Sequence, residues 1–156
     1  MIKMTVRAAL TAALALGVAW AGAAAAQSWR MQPRGTDADA FALIDWPSGV
    51  YMISRCRGGE LVMAMTLARP MQGQSVEVTY AFDGGAGVRT RWSLSDNGGG
   101  VIISDPAPFA RTMAAARSLT MSITDGQGPR QRYDLPLRAP ARDLEAVLAT
   151  CGLAAA

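Results

Sequence analysis

The chain has 156 residues, with 15 basic and 12 acidic side chains, two cysteines and no histidine. The missing histidine excludes Ser-His-Asp and Cys-His nucleophiles and histidine-ligated zinc, copper or haem. Two cysteines are too few for a cysteine-based structural zinc site, so the sequence predicts no metal or other cofactor.

The first 26 residues have the features of a cleaved export signal. Lys3 and Arg7 precede an alanine-rich apolar run that ends in small residues suited to a signal peptidase. The apolar run is shorter than the roughly 20 residues that span a bilayer, which disfavours a membrane anchor. Gln27 rather than a cysteine follows, so no lipoprotein anchor is expected. We therefore expect residues 27–156 to form one periplasmic domain without an integral membrane segment.

The charge of this predicted domain is nearly balanced. Lys3 and Arg7 belong to the leader, so residues 27–156 retain 13 basic and 12 acidic side chains, a net charge of +1. All 13 basic residues are arginines. Such a weak field argues against nucleic acid as a partner.

Alternation of apolar and polar residues predicts that most of the domain is sheet. Between Val76 and Ser95 the pattern is that of a hairpin, with a glycine-rich loop at 83–87. The run from Leu61 to Leu67 is apolar at nearly every position, which predicts a strand covered on both faces. The predicted strands span residues 39–46, 50–56, 61–67, 76–82, 88–95, 100–104, 119–123 and 133–137.

Two helices complete the predicted fold. One begins at Asp105 and Pro106, where the aspartate is a candidate N-cap and the proline a favourable first helical residue. The other runs from about Pro140 to Cys151, with its apolar residues three or four positions apart. We therefore expect an α+β protein built on an antiparallel sheet, either sandwich-like or curved.

A disulfide between Cys56 and Cys151 is expected in an exported protein with only two cysteines. Cys56 ends a predicted strand and Cys151 lies on the apolar side of the last helix, so the bond would pin that helix to the sheet. Free redox-active thiols are the alternative, but the cysteines are far apart in sequence and form no C-x-x-C motif.

Several exposed side chains are candidates for a partner surface. If their strands are neighbours, Arg89 and Arg91 could join Arg55 and Arg57 in a patch for anionic surfaces, whereas the alternative is an ordinary solvated strand face. We predict that Arg89→Glu with Arg91→Glu preserves the fold and disturbs partner binding. Trp46, beside Pro47 at a strand end, is the aromatic residue most expected to be exposed. Asp83 is a further candidate for this partner surface.

Carboxylates and glycine loops offer little catalytic signal. Asp83 precedes Gly84-Gly85 and is a candidate for a paired carboxylate, but turn, capping and salt-bridge roles are favoured for it. The loops 83–87 and 98–100 lack the residues and the strand-to-helix context of a phosphate loop. Hairpin turns are the favoured interpretation of both.

The order of these features resembles the small periplasmic proteins of the TagO/VasI kind, which are associated with type VI secretion systems. The resemblance spans roughly residues 45–152. The matching positions are Tyr80 and Asp83 in the hairpin, Trp92 on its second strand, and the two cysteines Cys56 and Cys151. It implies a non-enzymatic accessory protein of the bacterial envelope, whose partner is an envelope or secretion-system protein.

We therefore expect a periplasmic protein that is not an enzyme and acts through protein contacts. The alternative is an inhibitor of an envelope hydrolase such as lysozyme. An inhibitor needs a protruding loop that enters the cleft of the enzyme, and the candidates are residues 83–87 and 96–100.

Overall fold

Among the residues that the structure describes, nine strands form one antiparallel sheet that carries the fold. The structure is a computed structural model that describes residues 30–31 and 39–153. The predicted export signal lies outside them, as does Trp29, which the sequence predicts to pack against the domain. The α+β class predicted from the sequence is confirmed. The strands are β1 (Arg30–Met31), β2 (Asp39–Asp45), β3 (Tyr51–Arg57), β4 (Glu60–Thr66), β5 (Ser75–Phe82), β6 (Val88–Leu94), β7 (Gly100–Ile102), β8 (Ser118–Thr124) and β9 (Gln131–Pro136), and the helices are α1 (Pro106–Ala115) and α2 (Arg142–Thr150).

The strands lie in the order β1-β2-β3-β4-β7-β6-β5-β8-β9, and each neighbouring pair is antiparallel. Alternate side chains point to an inner, buried face, as predicted for the hairpin: Val76, Val78 and Trp92 are buried there. Val88 shares this alternation but is 46% exposed. The alternation thus predicted correctly which side chains point inward, but it did not predict that the buried core ends before Val88.

The sheet is strongly curved. Trp46, which follows β2, donates an indole hydrogen bond of 3.0 Å to the carbonyl oxygen of Pro136 in β9. These strands are seven positions apart in the sheet order, a distance of about 34 Å in a flat sheet. The curvature therefore brings opposite ends of the sheet together.

The prediction that Trp46 is exposed is wrong. Its side chain is only 4% exposed, because the end of β9 curls towards it and accepts its indole proton. A buried tryptophan with a satisfied N–H contributes to closure of the sheet, so Trp46 is removed from the candidate partner surface.

Both helices pack on the inner face. In α1, the ring of Phe109 lies 5.1 Å from that of Tyr80 and 5.6 Å from that of Trp92, both in edge-to-face contact. In α2, the buried side chains are Leu144, Val147 and Leu148. The opposite, outer face of the central strands therefore has no helix on it within the described residues.

The predicted start of α1 is partly confirmed. Pro106 lies in the first turn, but Asp105 makes no side-chain capping hydrogen bond. Its backbone, at φ −129° and ψ 79°, departs from the extended conformation in which a capping side chain reaches the free amides. Asp105 therefore occupies the N-cap position of α1, as predicted, but its side chain does not cap the free amides.

The predicted disulfide is present. The sulfur atoms of Cys56 and Cys151 are bonded, and their Cα atoms are 5.5 Å apart. Cys56 points from β3 into the inner face, and Cys151 ends α2. The bond therefore attaches the last helix to the sheet, as the positions of the two cysteines in the sequence indicated.

Asp125 organises the turn between β8 and β9. One carboxylate oxygen accepts hydrogen bonds from the amides of Gln127 and Gly128, both at 2.9 Å, and the other accepts one of 3.0 Å from the amide of Gln72. These bonds lower the pKa of Asp125 to about 2, with the Gln72 amide contributing most. The carboxylate thereby ties the turn to the segment before β5.

This hydrogen-bonded carboxylate predicts a pH-dependent contribution to stability. Because the folded pKa lies below the ordinary value of about 4, the contribution is present above about pH 4 and lost as the pH falls towards 2. Denaturant unfolding of wild type and Asp125→Asn should show a stability difference at neutral pH that shrinks steadily as the pH falls from about 4 to about 2. Asp134→Asn, at an exposed site on β9, is the matched control. A difference that was as large at about pH 2 as at neutral pH would contradict this assignment.

Candidate functional site

The four candidate arginines do not form one cluster. Arg55 and Arg57 lie on β3 and Arg89 and Arg91 on β6, and β4 and β7 lie between these strands. Three strand spacings separate the pairs by about 14 Å. The condition for a joint patch, that the two strands be neighbours, is therefore not met, because the order of strands in the sheet does not follow their order in the chain.

Each arginine pair nevertheless lies exposed on the outer face. Arg89 Nε lies 3.6 Å from Glu77 Oε1, and the two side chains are 77% and 45% exposed. An ion pair so open to solvent contributes little to stability. Arg91 lies directly opposite Glu77 in the β5–β6 register. Arg57 likewise lies directly opposite Glu60 in the β3–β4 register. Both arginine pairs therefore have acidic residues beside them on the outer face.

Asp83 has a structural role. It has a positive φ of 50°, and one carboxylate oxygen accepts the amides of Arg117 and Ser118 at 2.8 and 2.9 Å. The bond from Arg117 is the main reason that the pKa of Asp83 is lowered. A carboxylate held in its charged form in this way is unsuited to donate a proton. The geometry agrees with the turn role favoured from the sequence.

The two glycine loops differ in their exposure. At 96–100, the carbonyl oxygens of Gly98 and Gly99 accept the amides of Met71 and Leu67, and Gly98 is buried. This loop lies against the 67–71 segment, so the expectation that it protrudes is wrong. The loop at 83–87 is exposed throughout, but apart from Asp83 it carries only glycine and alanine.

The sequence analysis missed an exposed apolar surface on the outer face. We define the outer apolar strip as Tyr51, Ile53, Val62, Ala64 and Ile102, on the adjacent strands β3, β4 and β7. Tyr51, Val62 and Ile102 are 43%, 42% and 42% exposed. Ile53 pairs with Ala64, which pairs with Ile102. These side chains are thus neighbours on one surface, whereas isolated exposed apolar residues would be unremarkable.

The outer apolar strip contains a depression of about 260 Å³. The larger side chains of Tyr51 and Ile102 line it, together with the small residues Ala64 and Gly100. A larger residue at position 100 would be crowded, since an added Cβ would lie 3.0 Å from the carbonyl oxygen of Met65. The depression therefore arises from small residues placed between large ones.

The hydroxyl groups of Ser95 and Thr66, at the rim of this depression, are already hydrogen-bonded. Ser95 Oγ donates to Asn97 Oδ1 at 2.9 Å and accepts the amide of Gly100 at 2.9 Å. Thr66 Oγ1 accepts the amide of Tyr51 at 2.9 Å. The surface that remains to interact with another molecule is therefore chiefly apolar.

The sequence contains a signal for the outer apolar strip, but the same signal is typical of a strand covered on both faces. Residues 61–65 are apolar at every position, which predicted a strand covered on both faces. In the structure Leu61, Met63 and Met65 are buried, whereas Val62 is 42% exposed. That prediction is wrong for the outer face of β4 within the described residues, because both helices pack on the inner face.

In comparisons with known proteins, no family model, no curated protein and no solved structure matches this chain. Over residues 30–31 and 39–153, no helix is both long and apolar enough to cross a membrane. In the same ranges, no three cysteine or acidic side chains group in a way that could hold a metal ion.

Proposed function

We propose that this chain is a non-enzymatic accessory protein of the bacterial cell envelope that acts by binding another protein through its outer apolar strip. The observation that carries the proposal is the exposure of Tyr51, Val62 and Ile102 on three adjacent strands. Burial of apolar surface of this kind is the main favourable contribution to protein association. The depression between Tyr51 and Ile102 adds a shape into which a partner side chain can fit.

The proposed location outside the cytoplasm is supported by the Cys56–Cys151 disulfide. Disulfides persist in oxidising compartments such as the bacterial periplasm and are rare in the cytosol. The resemblance of residues 1–26 to an export signal also favours a location outside the cytoplasm. Association with a secretion system comes from the resemblance to the TagO/VasI kind alone and is part of this proposal.

Inhibition of an envelope hydrolase is the less well supported alternative. The loop at 83–87 would have to enter the cleft, yet Asp83 uses its carboxylate to bind the amides of Arg117 and Ser118. The rest of the loop, Gly84-Gly85-Ala86-Gly87, has no side chain larger than a methyl group with which to contact an enzyme.

Photo-crosslinking in cells tests the docking surface. A benzoylphenylalanine placed at Ile102 should give a defined crosslinked product, and Val62→Asp in the same chain should abolish it, because a buried unpaired carboxylate opposes association. The same probe at Thr120, exposed on β8, is the control and should give no product. Neither Val62→Asp nor the probes should change the free energy of unfolding by more than about 1 kcal/mol.

Two results would contradict the proposal: no product from position 102, or equal products from positions 102 and 120. Mass spectrometry of the product identifies the partner. An envelope or secretion-system component supports the accessory role, whereas a lysozyme-like hydrolase captured from position 86 in the loop, and not from position 102, would favour the inhibitor.

A further inference from the structure

We infer that two copies of this chain associate edge to edge through β9, with the two strands antiparallel and related by a two-fold axis at Tyr133. The inference goes beyond the proposed function, because it concerns the edge of the sheet and not the outer apolar strip. It rests on the backbone groups at the free edge of β9 and on the order of the charges along this strand.

The free edge of β9 carries backbone groups that can accept another strand. β9 is the last strand in the sheet order, and among the described residues it pairs with β8 alone. The amide of Leu137, just past the strand, donates to the carbonyl oxygen of Arg117 at 2.8 Å, so the backbone groups of Leu137 point towards β8. Because these directions alternate along an antiparallel strand, the N–H and C=O groups of Arg132 and Asp134 point away from β8. In the part of the chain that the structure describes, these groups have no hydrogen-bond partner, so a strand can be added there.

Pro136 and Trp46 limit this edge at one end. Pro136 has no N–H group, and its carbonyl oxygen already accepts the indole proton of Trp46 at 3.0 Å. An added strand can therefore pair with β9 only as far as Leu135. At its other end β9 begins at Gln131. The segment available for pairing is thus 131–135, and Tyr133 lies at its centre.

A second copy of this segment fits the edge in one register. A two-fold axis at Tyr133 places Arg132 of each copy directly opposite Asp134 of the other, where both N–H···O bonds of each pair can form. Both side chains are exposed on the outer face, so opposite charges meet at both positions. An axis at Arg132 or at Asp134 would instead place like charges opposite each other. In the register centred on Tyr133, Trp46 of each copy lies beyond the paired segment.

The charges of β9 do not protect it against a second copy. Edge strands are commonly protected from pairing by charged side chains, above all lysine, and by proline. Protection against self-pairing needs charges of one sign, which repel each other across the two-fold axis. Arg132 and Asp134 have opposite signs, and Pro136 lies outside the paired segment.

The opposite edge of the sheet is less suited to receive β9. β1 is paired there with β2, so that Arg30 lies opposite Leu43 and Met31 opposite Ala42. Copies joined head to tail, β9 to β2, would have to displace β1. Pairing of β9 with β9 closes by symmetry and leaves neither β9 edge open. The expected product is therefore a dimer and not a fibre.

Sedimentation velocity and hydrogen exchange of the purified protein test the dimer. So short a paired segment buries little surface, so dimers are expected only above about 0.1 mM protein. The amides of Arg132 and Asp134 should exchange more slowly as the protein concentration rises through this range. The amide of Gly84, in the exposed loop at 83–87, should exchange at the same rate throughout.

Reversal of single charges provides matched variants. Arg132→Asp and Asp134→Arg each turn both opposite-charge pairs of the dimer into like-charge pairs, so each should weaken self-association at least about tenfold. An equimolar mixture of the two variants should form heterodimers as readily as wild type forms dimers, because opposite charges meet again at both positions. Glu60→Arg, the same change of charge at an exposed site on β4, should dimerise like wild type. All three variants should retain the wild-type circular dichroism spectrum, since the replaced side chains are exposed.

The inference is overturned by a protein that stays monomeric up to about 1 mM, by dimers that survive both single reversals, or by a mixture of the two variants that forms no heterodimer. Dimers lost on Val62→Asp and not on the reversals would place self-association on the outer apolar strip, which also overturns it. Protected amides at Arg132 and Asp134 in a monomer would show that β9 is paired within the chain and would reject the dimer.

Discussion

Loss of the disulfide in a Cys56→Ala/Cys151→Ala double variant is expected to lower the free energy of unfolding by about 2–5 kcal/mol. The bond joins residues that are 95 positions apart, so it removes many conformations from the unfolded chain. It also attaches α2, the last helix, to β3. Alanine is suitable at both sites because Cys56 and Cys151 are 0% and 8% exposed.

Denaturant unfolding of three samples measures this effect. Oxidised wild type should have the highest free energy of unfolding. Reduced wild type and the double variant should both be less stable. Reduced wild type and the double variant should agree, which would show that the effect belongs to the bond and not to the alanine side chains. A loss below about 1 kcal/mol would mean that packing of Leu144, Val147 and Leu148 holds α2 in place without the disulfide.

Gly98→Ala is expected to have a comparably large effect, about 2–5 kcal/mol, because two costs coincide there. The φ of Gly98 is +66°, which alone costs a non-glycine residue roughly 1–2 kcal/mol. An added Cβ would also overlap the carbonyl oxygen of Met71. Steric overlap in a packed site typically costs a further 1–3 kcal/mol or so. Relief of the overlap would break the hydrogen bond from the Met71 amide to the Gly98 carbonyl.

Gly126→Ala separates the two costs. Gly126 has a similar φ of +78°, but no atom lies within 4 Å of the position of an added Cβ. Thermal and denaturant unfolding should therefore show a small loss for Gly126→Ala and a loss larger by about 1–3 kcal/mol for Gly98→Ala. Equal losses would indicate that backbone conformation alone sets the cost and that the 96–100 loop is free to move away from Met71.

Local sequence patterns determined the secondary structure and the disulfide. The strands around Val78 and Trp92 and the helices around Phe109 and Val147 follow from periods of two and of three to four residues, which depend only on backbone geometry. The pairing of Cys56 with Cys151 followed because no other cysteine exists. Likewise, Asp83 was recognised as a turn residue from the two glycines that follow it.

The sequence alone could not determine which strands are neighbours or which faces are covered. Arg55 and Arg91 are separated by β4 and β7, and Trp46 is buried by β9; both facts depend on contacts between residues distant in the chain. The exposure of Val62 shows the same limit. An apolar residue in a strand has the same local pattern whether its face is covered or open. Only the packing of α1 and α2 on the inner face left the outer face of β4 exposed, and with it the surface proposed to bind a partner.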